Sequence, residues 1–330
     1  MAKISLLASE GCLSSNISMV YDSLGIADLW HQRFTNSGKP LCEVEILTSD
    51  GKPVTGYGGI PIHPHRAMTD VDKTDFLVVA PFLPNVVPMP EDICDIKPWV
   101  ENLREAKTPV ATVCTGTFML AEMGLLSGRT ATTNWQFTRM FKRAYPDVNL
   151  KPERMLTDDD GIICTGAATA GYHLMLYIVQ KFGSEKLASV CAKTFLVDPA
   201  RDSQAPYMIS MPVRTHGDDQ VLKAQNMIEE KYPAIESVDE LAKEAGISPR
   251  HFKRRFKQAT GELPLKYLQR TRIDAARELL EMTRDTIDDI TWAVGYQDVS
   301  SFCRLFKQST ALSPKAYRDK FFCGQQVHTV

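Results

Sequence analysis

The eight cysteines of this 330-residue sequence (12, 42, 94, 114, 164, 191, 303 and 323) form no C-x-x-C pair and no cluster with histidine at metal-ligand spacing. That argues against zinc modules and disulfide scaffolds, and points to reduced thiols in a cytoplasmic protein with no metal and no cofactor. No apolar run approaches the roughly 20 residues that a membrane-spanning helix requires, so no membrane partner is expected. The opening "MAKISLLASEGC" carries one lysine and an apolar run broken by Ser9 and Glu10, unlike a secretory leader. Net charge is also scarce, at −2. That small value hides an asymmetry. From Lys231 onward there are 17 Lys and Arg against 13 Asp and Glu, or +4; the first 230 residues hold 21 against 27, or −6. A basic end on an acidic body points toward nucleic acid at the C-terminal side.

At 44% hydrophobic, the chain is long enough for two cores. Over the first 180 residues, short β-branched runs alternate with helical patterns. Lys3 to Ala8, Glu43 to Thr48, Phe76 to Ala80, Val110 to Val113 and Gly161 to Gly166 read as strands. Ser15 to Leu24, Asp95 to Ala106, Thr117 to Met123, Trp135 to Ala144 and Ala170 to Phe182 read as helices. Such alternation predicts an α/β unit, a mostly parallel sheet with helices on both faces and ligands at the carboxyl ends of the strands. We assign it residues 1–183. Three prolines, at 199, 206 and 212, punctuate a looser stretch read as a linker, residues 184–219, whose Met and Ile suggest docking on a surface. An all-helical, basic domain, 220–323, follows.

That last domain contains a repeat. "HFKRRFKQATGELPLKY" (His251 to Tyr267) aligns with "SFCRLFKQSTALSPKAY" (Ser301 to Tyr317) at an offset of 50, and "SVDEL" mirrors "TIDDI" at an offset of 49. Each copy opens on an N-capping hydroxyl with an acid three residues later: Ser237 with Glu240, Thr286 with Asp289. A short helix then stops at Gly246 or Gly295, and a second begins near Ser248 or Asp298. Helix, glycine turn and helix at this length is a helix-turn-helix. Phe252 and Phe256 form the buried stripe of the first recognition helix, leaving Arg250, Lys253, Arg254 and Lys257 for double-stranded DNA. No acid lies between Glu244 and Glu262.

The two units, the bridging "KYLQRTRIDAARELLE" and the run "IDDITWAVGYQDVSSFCRLFKQSTALSPKAYR" resemble the AraC/XylS family of bacterial transcription regulators from about Gln220 to Phe322. The resemblance implies two recognition helices in successive major grooves, about 34 Å apart. By position, Arg250, Lys253 and Arg254, with Ser300, Cys303 and Arg304 in the second unit, are expected to reach base edges. Lys257 and Lys307 are expected to neutralise phosphate. With two basic residues in its second helix and Asp298 at its start, the second unit is expected to contribute less affinity.

In the first domain, strand, Cys114, Thr115, Gly116 and helix spell a nucleophile elbow, in which a tight turn exposes a thiol beside backbone N–H groups. Such a thiol is expected to ionise more easily than a free one. With "TDFLVVAP" and "GIICTGAATAGYHLMLYIVQKFG", the elbow resembles the ThiJ/PfpI branch of the class I glutamine-amidotransferase superfamily over Lys3 to Gly183. The resemblance implies a flavodoxin-like, amidotransferase-like fold. In enzymes of that superfamily a histidine follows the elbow by about twenty residues. Here "TTNW" places Asn134 there, with no group that titrates near neutral pH. His173 could stand in for the base, and His63 and His65 could touch a ligand, although packing or surface roles suit all three. The first strand-to-helix loop holds no obvious acid either, offering only Glu10 at its start.

Three roles for Cys114 follow: a relic lining a ligand pocket, a redox or electrophile sensor, or a working nucleophile. The missing histidine speaks against the last. The reading is a transcription regulator whose inactive first domain binds a small effector at Cys114, Thr115, Asn134, Gly166 and Ala167; the resemblance implies an activator and a nitrogen-containing effector. It is expected to act as a homodimer and to engage RNA polymerase. The alternatives are a cysteine hydrolase or amidotransferase with a DNA-targeting domain, and a thiol-redox regulator.

Overall fold

The computed structural model describes residues 1–36, 38–84 and 88–323. The chain divides into two compact units, one of residues 1–204 and one from Ala205 onward.

A seven-stranded sheet organises the first unit. Its strands are β1 (Ala2–Leu7), β2 (Cys42–Thr48), β3 (Arg66–Ala67), β4 (Phe76–Val79), β5 (Val110–Thr112), β6 (Leu156–Asp159) and β7 (Ile162–Thr165), in the order β6-β7-β5-β4-β1-β2-β3. Every neighbouring pair is parallel except β6 with β7, an antiparallel hairpin at one edge. The five strands read from the sequence are all present. Each had enough apolar residues to stand out. The edge strands β3 and β6 are too short or too acidic to show that signal.

Strand β4 shows how the sheet divides its core. Phe76 and Val78 face one hydrophobic cluster, Leu77 and Val79 the other, as a two-residue repeat requires. The first cluster is closed by helices α1 (Ser14–Thr35), α5 (Gly171–Phe182) and α6 (Glu185–Thr194). The second is closed by α2 (Ile93–Glu105), α3 (Thr117–Glu122) and α4 (Thr138–Ala144). Burial on both faces is why these strands read as near-continuous apolar runs.

Helix α1 extends well past the expected end at Leu24. Its buried stripe of Ile17, Val20, Leu24 and Ala27 runs straight through Gly25, and the helix stops at Asn36, in the left-handed conformation with φ 48°. Helix α6 lies inside the stretch read as a linker. Ser184 caps it, its hydroxyl accepting from the Leu187 amide at 3.2 Å, and Leu187, Cys191 and Ala192 are buried. The apolar spacing of a one-sided helix was there, ahead of the prolines that drew the linker reading.

The second unit is helical: α7 (Asp219–Lys231), α8 (Val238–Glu244), α9 (Pro249–Thr260), α10 (Pro264–Met282), α11 (Ile287–Ala293), α12 (Val299–Thr310) and α13 (Pro314–Phe321). It holds two separate cores, one per sequence repeat. Phe252, Phe256 and Tyr267 pack edge to face in the first, with ring centroids 5.5 and 5.3 Å apart; Phe302, Phe306 and Tyr317 pack tilted and edge-on in the second at 5.7 and 5.3 Å. Helix α10 runs from one core to the other, with Tyr267 and Leu268 buried in the first and Ile273, Ala276 and Leu280 in the second.

Candidate functional sites: the thiol elbow and the recognition helices

At the carboxyl end of β5 the chain turns sharply through Cys114, whose φ of 58° is left-handed and unusual for a residue with a side chain. Two hydroxyls fasten the turn, Thr117 and Thr133 donating to the Cys114 carbonyl at 3.1 and 2.9 Å. The close approach also dictates Gly116, since a Cβ there would fall 1.9 Å from Thr112 Oγ1. This is a nucleophile elbow in geometry as well as in sequence. Left-handed backbone at a non-glycine costs about 1–3 kcal/mol and is held only where the surroundings over-determine it.

Asn134 lies beside the thiol. Its Nδ2 points at Cys114 Sγ from 3.5 Å, while its Oδ1 accepts from the Gln136 amide at 3.1 Å. The amide is thus held with its donor toward sulfur. A donor favours the thiolate but cannot take a proton from the thiol.

The expectation of an easily ionised thiol is overturned. Cys114 is only 4% exposed, and burial pushes its pKa up despite the contacts from Asn134, Thr115 and the Ala168 backbone that oppose the rise. The elbow shape suggested exposure, but Thr133, Asn134 and the loop after β7 cover the sulfur. Desolvation outweighs the donors.

Around the turn, Thr115 is buried, its hydroxyl donating to the Phe82 carbonyl. Gly166 and Ala167 are covered by Gln204, a residue that sequence reasoning passed over. A Cβ on Gly166 would lie 2.7 Å from the Gln204 amide, and the Ala167 N–H donates to Gln204 Oε1 at 3.2 Å. Nothing in its sequence neighbourhood marks Gln204, because its burial comes from loops distant in the chain.

The histidines lie elsewhere. His173 sits on α5 with Nε2 3.2 Å from the Asp198 carbonyl, and burial lowers its pKa. His65 Nδ1 accepts from the Ile46 amide at 3.0 Å and its ring stacks on Tyr21. His63 is exposed. Glu10 accepts from the Thr55 amide and borders a groove of about 780 Å³ that Asp50, Lys52, Tyr57 and Met89 also line. None of the five residues nominated for effector binding lines that groove. Among the described residues no group of three or more His, Cys, Asp or Glu is placed to hold a metal, and no helix is long and apolar enough to cross a membrane.

In the second unit, Arg250, Lys253, Arg254 and Lys257 are all exposed on α9. Lys253 Nζ lies 3.5 Å from Asp239 on α8, an exposed pair worth little in water. Arg255, two positions after Lys253, turns inward. It donates to Asp218, which itself caps α7 by accepting from the Val221 amide, and to Gln220. It therefore braces α9 against α7. On α12, Ser300, Arg304 and Lys307 are exposed, whereas Cys303 is half-buried against the second core, with Asp288 and Asp298 adding to the burial that raises its pKa. Asp298 caps α12, accepting from the Ser301 amide at 2.7 Å.

Both units have known counterparts. The DJ-1/PfpI family matches residues 32–181, and a helix-turn-helix domain matches residues 241–320. The HTH-type transcriptional regulator CdhR of Pseudomonas aeruginosa is 27% identical over 83% of this chain and 80% of its own. The HTH-type transcriptional regulator GlxA of Rhizobium meliloti is 29% identical over 86% of each. The first unit's fold is shared with the crystal structure of an AraC family transcriptional regulator from Pseudomonas putida, at a TM-score of 0.50 and 16% identity, over 59% of this chain and 100% of that one. The chain therefore carries a DJ-1/PfpI-type domain in its first unit and a helix-turn-helix domain in its second, and is similar over most of its length to HTH-type transcriptional regulators.

Proposed function

We propose that the chain is a sequence-specific DNA-binding transcription activator whose DJ-1/PfpI domain holds a small effector without turning it over. The observation that carries the DNA half is the duplicated helix-turn-helix with an acid-free, outward-facing basic helix, α9. Arg250, Lys253 and Arg254 read base edges, as do Ser300, Cys303 and Arg304 in the second unit, with Lys257 and Lys307 on phosphate. Lys257 and Lys307 lie in the last turns of their helices, where the dipole also favours a cation.

The absence of catalysis rests on Asn134. Acyl transfer through a cysteine needs a base in hydrogen-bond reach of the thiol, and an amide occupies that place, beside a sulfur whose burial raises its pKa. The same burial counts against a fast redox switch. Cys114, Thr115, Asn134, Gly166 and Ala167 then form the wall of an effector site, and no cofactor is needed. The protein acts in the cytoplasm as a homodimer that presents four helix-turn-helix units to repeated half-sites and contacts RNA polymerase.

Titrating the full chain against promoter duplex and against unrelated duplex tests the DNA reading. Arg254→Ala should weaken specific binding by about 1–3 kcal/mol and leave nonspecific binding much less affected. Equal losses on both duplexes would remove base readout from Arg254.

A further inference from the structure

We infer that the groove between α9 and the turn before α7 seats a backbone phosphate of bound DNA, with His251 as its titratable donor. The inference rests on the DNA-binding reading and adds to the first recognition helix a contact whose strength depends on pH.

The groove, of about 490 Å³, lies wholly within the second unit. His251, Arg254, Arg255, Gln258 and Ala259 of α9 line one side, and His216 and Asp218 the other. Residues three and four apart share a helix face, so His251, Arg254, Arg255 and Gln258 form one stripe. Several of these groups are occupied. Asp218 accepts from Arg255 through Oδ2 and from the Val221 amide through Oδ1, and Arg255 also donates to Gln220. His216 accepts from the Asp218 amide through Nδ1 at 3.1 Å, which leaves Nε2 as donor to Gln225 Oε1 at 2.8 Å. Both of its nitrogens hold the turn in place. His251, Arg254 and Gln258 remain, all exposed and all able to donate. With Asp218 offset by Arg255, the uncompensated charge in the groove is that of Arg254, and it suits an anion.

The anion follows from the dimensions of the complex. A helix with its side chains is about 10–12 Å across and the major groove about 12 Å wide, so both flanks of a recognition helix meet sugar-phosphate backbone. On the α8 flank stands Lys253, beside Asp239. No lysine lines the α7 flank, where His251 and Gln258 are the outermost donors. The charged and titratable groups facing His251 there are Arg254 and Arg255 on its own helix and His216 and Asp218 across the groove. Arg254 opposes a second positive charge in the free protein, and a phosphate between the two favours it. DNA binding therefore takes up a proton, and affinity is greater at low pH and lost as pH rises. Ser301 occupies the equivalent place in α12 and has no such titration, so the effect belongs to the first unit.

The full chain is titrated with a random-sequence duplex over a range of salt, at about pH 6 and about pH 8, on either side of an ordinary imidazole's titration. Each phosphate neutralised adds about 0.9 to the slope of log affinity against log salt. The wild-type slope should be steeper at the lower pH by up to about 0.9, and the difference should vanish in His251→Ser. His251→Gln, which keeps a donor without the charge, should lose it too, and serves if His251→Ser does not fold. His216→Gln should retain it. A wild-type slope that does not change with pH, or a change that survives His251→Ser or His251→Gln, would overturn the inference. So would a loss confined to promoter duplex, because phosphate carries no sequence. A chain that binds neither duplex at either pH fails the DNA-binding reading itself; one that binds both without the pH-dependent slope fails this inference alone.

Discussion

The two helix-turn-helix copies keep the same core and differ at their turns, caps and outer faces. Each buries two phenylalanines and a tyrosine, and each ends its recognition helix on a threonine bonded to the carbonyl four residues back, Thr260 to Phe256 at 2.7 Å and Thr310 to Phe306 at 2.8 Å. The turns are another matter. Gly246 and Gly295 are both left-handed, with φ of 70° and 87°, but a Cβ on Gly246 would meet open space, whereas one on Gly295 would lie 2.3 Å from the Pro233 carbonyl oxygen. Outside, α9 carries four Arg and Lys and α12 two. The core positions are shared, and so are the exposed pairs Arg254/Arg304, Lys257/Lys307 and Gln258/Gln308, whereas Arg250 and Lys253 have no basic counterpart in α12, so the difference in what the copies read lies at those positions.

The sharpest break of the symmetry is at the turns. Gly295→Ala should destabilise the second unit by about 2–6 kcal/mol, adding backbone strain to overpacking, while Gly246→Ala costs about 1–2 kcal/mol of strain alone. Chemical denaturation of the two variants measures the gap, and equal losses would show that Pro233 yields. Next in size is the asymmetry in DNA contact. Arg304→Ala should cost less specific affinity than Arg254→Ala, which gel-shift titration at matched salt would show. Smaller again are the caps. Thr286 and Asp289 form a complete capping box, each side chain bonded to the other's backbone N–H, whereas Ser237 accepts from the Glu240 amide at 3.3 Å. Thr286→Ala should therefore cost up to about 2 kcal/mol and Ser237→Ala about 1 kcal/mol, read from thermal unfolding. Smallest is the cap after α12. Ala311 stands left-handed, φ 60°, where α9 has Gly261 at φ 85°. Ala311→Gly should stabilise the second unit by about 0.5–1 kcal/mol.

These contrasts also mark what could be read in the sequence. The repeat, the caps and the elbow were legible because each is a local pattern with a fixed spacing. Helix α6 had a legible cap and stripe but lay beside the prolines that suggested a linker. The burial of the Cys114 thiol and the place of Gln204 were not legible. Both depend on which distant loops close over a residue, and spacing alone carries no record of that.

One measurement tests the central claim, that the elbow domain senses without catalysing: a thermal-shift screen of the purified chain against amino acids, betaines, amines and aldehydes, with mass spectrometry of every mixture that shifts. The account predicts a compound that raises the unfolding temperature and is recovered unchanged, its effect altered by Cys114→Ser. A compound converted to product, with turnover lost in Cys114→Ser, would contradict it and require a base that Asn134 cannot supply.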